Sequence, residues 1–489
     1  MSYFRVLKIR EIVLLKKNLI INKKNKQMSV LKKSLSVLFI SFSILSIAQP
    51  VEGTLNWYNK EDQGMFTEKA YKFLKKKKSK TVIVGVIDSG VDIEHEDLKG
   101  QIWINEGEIA GNGIDDDNNG YIDDVHGWNF LGNEKGEHVN EARLEKTRIL
   151  ASLSAKYDGI DANSIQPDAE YELYLKVKEE VEAGRAQFEQ YMGMIDQLPP
   201  DAQEYIRAQM DYNLNVNFDD RSLIGDDQND FSDTKYGNND VEGPDALHGT
   251  HVSGIIGALR GNDLGGDGVA ENVKIMVLRA VPNGDEFDKD IALAVRYAVD
   301  NGAMVINMSF GKAYSPHQKE VYEAFKYADK KGVLLIHAAG NDAKDIDVEP
   351  NYPTSMYSFQ TQPLDHFVTI GASTKNKGEE MVASFSNFGA KGVDVFAPGF
   401  EIYNTVQEKD GVKYRDLQGT SMAAPMVAGA AAMLKSYYPS LSMKEIKDAL
   451  YSSSVKYPNV EGFADKSVTG GVINIYNAAK VCKKLAKKK

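Results

Sequence analysis

From residue 81 onward the chain alternates short, unbroken apolar runs with longer amphipathic stretches. Residues 81–87 (TVIVGVI) are apolar or β-branched at almost every position. A strand that is apolar throughout, rather than at alternate positions, is one buried on both faces. Residues 273–278, 304–308, 333–337, 368–371 and 393–396 read the same way. Between them the spacing of apolar positions predicts helices, as over 288–301 and 317–331. Such alternation predicts an α/β fold of three layers, a doubly wound, mostly parallel sheet with helices on both faces. In sheets of this kind ligands bind at the carboxyl ends of the strands.

One region departs from the pattern. Residues 139–215 carry long, charged, helix-prone segments, EARLEKTRILASLSAKY, AEYELYLKVKEEVEAGRAQFEQYMGMI and DAQEYIRAQM, the last two parted by Pro199-Pro200. They predict a helical insertion packed as a hairpin on the main domain, either a solvated decoration or a lid or arm with a partner of its own. Residues 216–240, dense in Asp, Asn and Gly, predict a loop. The main domain is then expected over 81–485, with 49–80 as a lead-in.

The N-terminal residues have a separate logic. Met28 opens MSVLKK, an apolar run over 35–45 follows, and Ser46-Ile47-Ala48 precedes Gln49. A basic start, an apolar stretch of about a dozen residues and a small-x-small site predict a secretory signal peptide over 1–48. The run is too short to cross about 30 Å of hydrocarbon, so no stable membrane anchor is expected. Residues 1–27 are basic and irregular, and translation is expected to start at Met28. The protein is expected to be exported, to the periplasm or the medium.

Composition changes this picture in two ways. The full chain has a formal net charge of −12. Without residues 1–48, which hold ten Lys or Arg and one acid, the remainder stands at −21. That charge disfavours nucleic acid as a partner, since polyphosphate is repelled. Cys482 is the sole cysteine, so no intramolecular disulfide forms and stability must come from the core and from bound ions.

Three short segments carry chemistry. Asp88 follows the first apolar run and precedes Ser89-Gly90, which puts a carboxylate at the rim of the sheet, as a partner for an imidazole N–H or as a loop cap. In HGTHVSG, His248 is followed by two small residues that let a helix begin beneath it. His251 lies three residues on without metalloprotease spacing, and reads as a packing histidine. In GTSMAAPMVAGAAAML, Ser421 starts a helix whose next turns are small or apolar, so the helix start is buried. Its positive dipole end then stabilises an oxyanion there, unless the serine is a simple N-cap.

Together IDSGVDIEHEDL, HGTHVSGIIGA and GTSMAAPMVAGA resemble, in that order, the aspartate, histidine and serine signatures of the subtilisin-like serine peptidases, the subtilase family. The likeness covers roughly residues 80–130 and 240–485. It implies a subtilisin-like fold and a secreted serine endopeptidase acting on proteins or peptides, with Asp88, His248 and Ser421 as the triad and no cofactor for catalysis. It further implies Asn341, in Ala338-Ala339-Gly340-Asn341, as an oxyanion donor. Ala339 and Gly340 would line the substrate, and Ser309-Phe310-Gly311 would pair with its backbone by strand addition. Phe385-Ser386-Asn387-Phe388-Gly389 resembles a structural strand of the family. The lead-in of about 30 residues is shorter than the inhibitory propeptide of many subtilases. A catalytically silent scaffold is the competing reading.

Residues 115–124 (DDDNNGYIDD) meet the first half of a calcium-loop pattern, but the twelfth position is His126 rather than Glu, so an EF-hand is excluded. Asp115, Asp117 and Asn119 still offer oxygens at alternate positions, for structural Ca2+ or as a solvated turn. By resemblance, Asp97 with the Gly-rich loop around Asn262 is a second candidate.

Overall fold

The apolar runs become the strands of one sheet. A computed structural model describes residues 55–161 and 168–489. The expected signal peptide, and the first residues of the lead-in, lie outside the described residues. In chain order the elements are α1 (Thr67–Leu74), β1 (Val82–Asp88), β2 (Gly127–Asn129), α2 (Glu145–Tyr157), α3 (Ala169–Met192), α4 (Pro200–Ala208), α5 (Leu247–Gly257), β3 (Val273–Arg279), α6 (Asp288–Asp300) and β4 (Val305–Met308). There follow α7 (Gln318–Lys331), β5 (Leu334–Ala338), β6 (Phe367–Ser373), β7 (Val395–Pro398), β8 (Ile402–Lys409), β9 (Val412–Leu417), α8 (Thr420–Tyr437), α9 (Met443–Ser453), β10 (Val455–Lys456), β11 (Gly471–Val472) and α10 (Ile475–Ala486).

Nine strands form one sheet in the order β10-β11-β7-β6-β5-β4-β1-β3-β2. Every pair is parallel except β10 with β11. From β1 the chain passes to β3 on one side and then to β4 on the other, so the order reverses about β1. That reversal opens a crevice at the carboxyl end of β1. Asp88 sits there.

Alternation along the strands sorts the two faces. Ile83, Ile87, Met276, Leu278, Ile306 and Met308 pack with Ile291 and Val295 of α6 and with Val321 and Phe325 of α7. Val273 and Ile275 face the other way. The missing Cβ of Gly257 in α5 would stand 2.7 Å from Val273 and 3.5 Å from Ile275. Helix α8 is buried along nearly its whole length. Its Gly429 lets it approach α5, since a Cβ there would come within 2.8 Å of Val269 and 3.3 Å of the Ile256 carbonyl. The antiparallel hairpin β8–β9 lies against α5, where Gly254 leaves room for Thr405. Neither strand of this hairpin is expected from the sequence pattern.

Helices α2 and α3 pack on each other through a small core of Leu150, Tyr157, Tyr171, Tyr174, Val177 and Val181. The last four of these recur at helical spacing on one face of α3. Buried ion pairs fasten this region to the sheet domain. Lys312 binds Glu145 of α2 at 2.7 Å and Asp288 at 2.9 Å, while Arg148 pairs with Glu145 inside α2 at 2.6 Å and donates to the Asp285 and Glu286 carbonyls at 2.9 and 3.0 Å. Arg221, in the stretch after α4, bridges Asp226 at 2.5 Å and Asp290 at 2.7 Å. Removing one partner of such a pair leaves a buried charge uncompensated, at a cost of about 3–5 kcal/mol.

Residues 385–389 differ from the expected strand. A turn ends at Phe385, a single bridge joins Phe388 to Asp345, and the Asn387 side chain holds the neighbouring loop.

Candidate active site

Asp88 ends β1 and is buried, with Oδ1 accepting the backbone N–H of Ser89 at 2.8 Å. His248, in the first turn of α5, places Nδ1 2.7 Å from the same oxygen. The ring is half-buried at the rim. Gly249 makes this approach feasible, because a Cβ there would lie 2.0 Å from the Gly90 carbonyl and 3.1 Å from Asp88 Cβ. Burial lowers the pKa of His248. The charge and hydrogen bond of Asp88, with Asp245 nearby, outweigh burial and hold it above the usual 6.5.

Ser421 begins α8, which packs on α5. Its Oγ donates to the Ser309 carbonyl at 3.1 Å and is not hydrogen-bonded to His248. Bonds between a nucleophile and its base are often long or absent without substrate and tighten only when it binds. Asn341 follows β5, on the exposed side of the same crevice. Its Oδ1 accepts the N–H of Thr420 at 2.8 Å and the Thr420 hydroxyl at 3.0 Å. With the oxygen fixed, Nδ2 is left to donate outward. Asn341 Nδ2 and Ser421 N lie close to each other, 3.4 and 3.5 Å from the empty Cβ position of Gly419.

The Asn341 loop is splinted from behind. Asn387 Oδ1 accepts N–H groups from Asp342 at 3.0 Å and Lys344 at 2.9 Å, and its Nδ2 donates to the Ala339 carbonyl at 2.9 Å. Gly340, at φ 101°, leaves space for that amide, which a Cβ would meet at 2.3 Å. Thr420 Oγ1 accepts the Gly340 N–H at 3.0 Å. Thr420 and Asn387 stand within the segments quoted from the sequence, which assigned neither a role of its own. Their flanking small residues were visible, but their contacts join segments far apart in the chain.

Ser309, Phe310 and Gly311 extend from the end of β4 along the crevice. The Phe310 carbonyl is occupied by His337 Nε2 at 2.9 Å, and Lys312 pairs with Tyr352 in both directions. Gly311 is exposed, and no backbone hydrogen bond of the described residues engages it. A Cβ at Gly311 would meet the Asn351 amide at 2.9 Å.

His251 is fully buried, with Nε2 near the carbonyls of Ile402 (2.9 Å) and Arg415 (3.2 Å), so it ties α5 to the β8–β9 hairpin. Burial lowers its pKa to about 3 and keeps it neutral.

Among the described residues, Glu108, Asp115 and Asp117 bring one carboxylate oxygen each to within 4.8 Å of the others. Asn119 also makes hydrogen bonds within this loop. Its Oδ1 accepts the Tyr121 N–H at 2.8 Å, and its Nδ2 donates to Asp117 and Asp124, so it braces the loop. Glu108 was not visible in the local pattern because it precedes the Asp-rich run. Burial and the charges of Asp124 and Asp117 raise its pKa. Asp97, fully buried, accepts the Asn262 amide at 2.7 Å on Oδ1, while Oδ2 has no donor.

Residues 79–472 match the family model described as the subtilase family. The chain belongs to the subtilase family. A thermophilic serine proteinase of Bacillus sp. (strain AK1) is 38% identical over 256 residues, which cover 51% of this subtilase and 55% of that protein. The chain thus spans about half the length of that relative. Subtilisin DY of Bacillus licheniformis is 34% identical over 235 residues, 47% of this chain and 77% of the relative. A protease from Pseudoalteromonas arctica PAMC 21717 shares the fold at TM-score 0.50 and 21% identity, over 87% of this chain and 97% of that one. Among the described residues no helix is long and apolar enough to cross a membrane.

Proposed function

We propose that this subtilase is an exported serine endopeptidase in which Ser421 is the nucleophile, His248 the general base and acid, Asp88 its orienting partner and Asn341 an oxyanion donor. The observation that carries this reading is the 2.7 Å contact between His248 Nδ1 and buried Asp88 at the strand crossover. Asp88 holds the proton on Nδ1, which leaves Nε2 as the acceptor facing solvent. As Ser421 Oγ bonds to the scissile carbonyl carbon, its proton passes to Nε2. The carbonyl oxygen becomes an oxyanion that takes hydrogen bonds from Ser421 N–H and Asn341 Nδ2. When the C–N bond breaks, His248 returns the proton to the leaving amine, and an acyl group stays on Ser421. Water then attacks the acyl carbon by the same route in reverse.

The unengaged backbone of Gly311 suits strand addition by an extended peptide, which positions substrate without reading its sequence. Digestion of a mixed peptide library by the purified protein tests the proposal. Cleavage lost in Ser421→Ala supports it, and an undigested library opposes it. Asn341→Ala should lower kcat about 10²–10³-fold with little change in KM, the magnitude found for losing one such donor in subtilisin. A variant that retains native kcat would remove Asn341 from the oxyanion site.

Residues 139–215 are then an insertion within one peptidase domain over 81–485, and the signal peptide over 1–48 directs export. Calcium fits two places by donor chemistry. Glu108, Asp115 and Asp117 supply hard, closely spaced oxygens, and Asp97 has a buried oxygen that lacks a donor. Bound ions would stabilise the loops around the crevice and take no part in bond cleavage. Calcium at about 100 times its Kd should add about 2.7 kcal/mol to stability and raise Tm. The check is a melt in calcium against a melt in chelator, for native protein and for Asp115→Asn/Asp117→Asn. Identical melting in all four cases would exclude the first site.

A further inference from the structure

Pro425 lies inside α8, four residues after Ser421. A regular helix would have the N–H of residue 425 donate to the Ser421 carbonyl, but proline has no N–H and its ring crowds that carbonyl outward. The nucleophile's own peptide group is therefore left without its helical partner. Ser309 fills the gap, with Oγ donating to the Ser421 carbonyl at 2.8 Å. Asn307, at the third position of β4, donates through Nδ2 to Ser309 Oγ, also at 2.8 Å. A hydroxyl has one proton to give. With Asn307 as donor on one side, the Ser309 proton is directed to the Ser421 carbonyl on the other. Asn307 is fully buried and Ser309 nearly so, and Asn307 Oδ1 has no donor, so this amide serves here as a donor. The Ser309 carbonyl in turn accepts Ser421 Oγ at 3.1 Å. The two serines clasp one another by reciprocal bonds.

We propose that Asn307 and Ser309 are positioning residues that replace the helical hydrogen bond removed by Pro425, and so fix the backbone of Ser421, whose Cα carries the nucleophile and whose N–H is the oxyanion donor. The inference rests on the peptidase reading above. It gives the Ser309 side chain a role separate from any pairing of its backbone with substrate.

A double-mutant cycle separates the possibilities. Pro425→Ala restores a backbone N–H that can reach the Ser421 carbonyl, so it should make the Ser309 hydroxyl dispensable. The proteins are native, Ser309→Ala, Pro425→Ala and the double variant, each measured for kcat and KM on a peptide substrate and for the rate of fluorophosphonate labelling. Ser309→Ala should lower kcat and labelling rate about tenfold, the order expected for one hydrogen bond, with KM within about twofold. In the Pro425→Ala background the same substitution should cost less than about twofold. An equal loss in both backgrounds, or no loss in the native background, overturns the proposal. If Ser309→Ala alone does not fold, comparing Pro425→Ala with the double variant decides, because a loss that persists there contradicts the proposed role. Native protein that neither cleaves peptide nor labels overturns the peptidase reading and this inference together. Native activity with a failed cycle overturns this inference alone.

Discussion

Replacing His248 by alanine is expected to lower kcat on a peptide substrate by about 10⁶-fold while the protein still folds. The magnitude follows from its double duty, since without Nε2 neither the serine proton nor the amine leaving group is served, and loss of this group alone costs about that much in subtilisin. The ring is half-buried at the rim and makes one side-chain hydrogen bond, to Asp88. Truncation therefore opens little space in the core. Circular dichroism and Tm close to native, with activity near the detection limit, is the expected pair of results. Activity within tenfold of native would mean that another group accepts the proton.

Asp88→Asn is expected to cost about 10⁴-fold in kcat, because an amide offers its own N–H to Nδ1 and favours the wrong imidazole tautomer. A change in pH dependence should accompany it. With His248 as the general base, activity requires it neutral, and its pKa lies above 6.5 because Asp88 outweighs burial. Activity should therefore rise with pH through an apparent pKa above 6.5. In Asp88→Asn the attraction is gone while burial remains, so the ascending limb of the residual activity should move below the native one. The same pair has a linked effect on folding. A folded-state pKa above the unfolded value means that its stabilisation is fully present below about pH 6.5 and fades as pH rises through the folded value. A limb that does not move in Asp88→Asn would separate Asp88 from His248 function.

The layers of the fold were legible because buried parallel strands are apolar throughout. Six such runs marked β1, β3, β4, β5, β6 and β7 to within two residues at either end. The short strands β2, β10 and β11 were not legible, since two or three residues carry no period. Helix α8 was readable from its small, apolar residues, and its burial against five strands, β1, β4, β5, β6 and β7, explains that composition. The candidate site was legible where a residue stands in a local motif, as Asp88, His248 and Ser421 do. It was not legible where a side chain works across the chain. Asn387 splints a loop that ends 43 residues earlier, Thr420 fixes the Asn341 amide, and Glu108 reaches the Asp-rich loop from outside its repeat. Such contacts depend on the geometry of turns, which sequence spacing does not encode. The place of Asn119 in a calcium-loop pattern suggested a ligand, and the structure adds hydrogen bonds within the loop that the spacing did not show.

The central claim is that Ser421 is a nucleophile made reactive by His248. A fluorophosphonate bonds covalently to a serine oxygen only when a neighbouring base removes its proton and nearby donors stabilise the phosphoryl oxygen. Native protein treated with the probe should gain one adduct, which peptide mass analysis locates at Ser421, and Ser421→Ala should gain none. Native protein that stays unlabelled with calcium present, or that carries the adduct at another residue, would contradict the account.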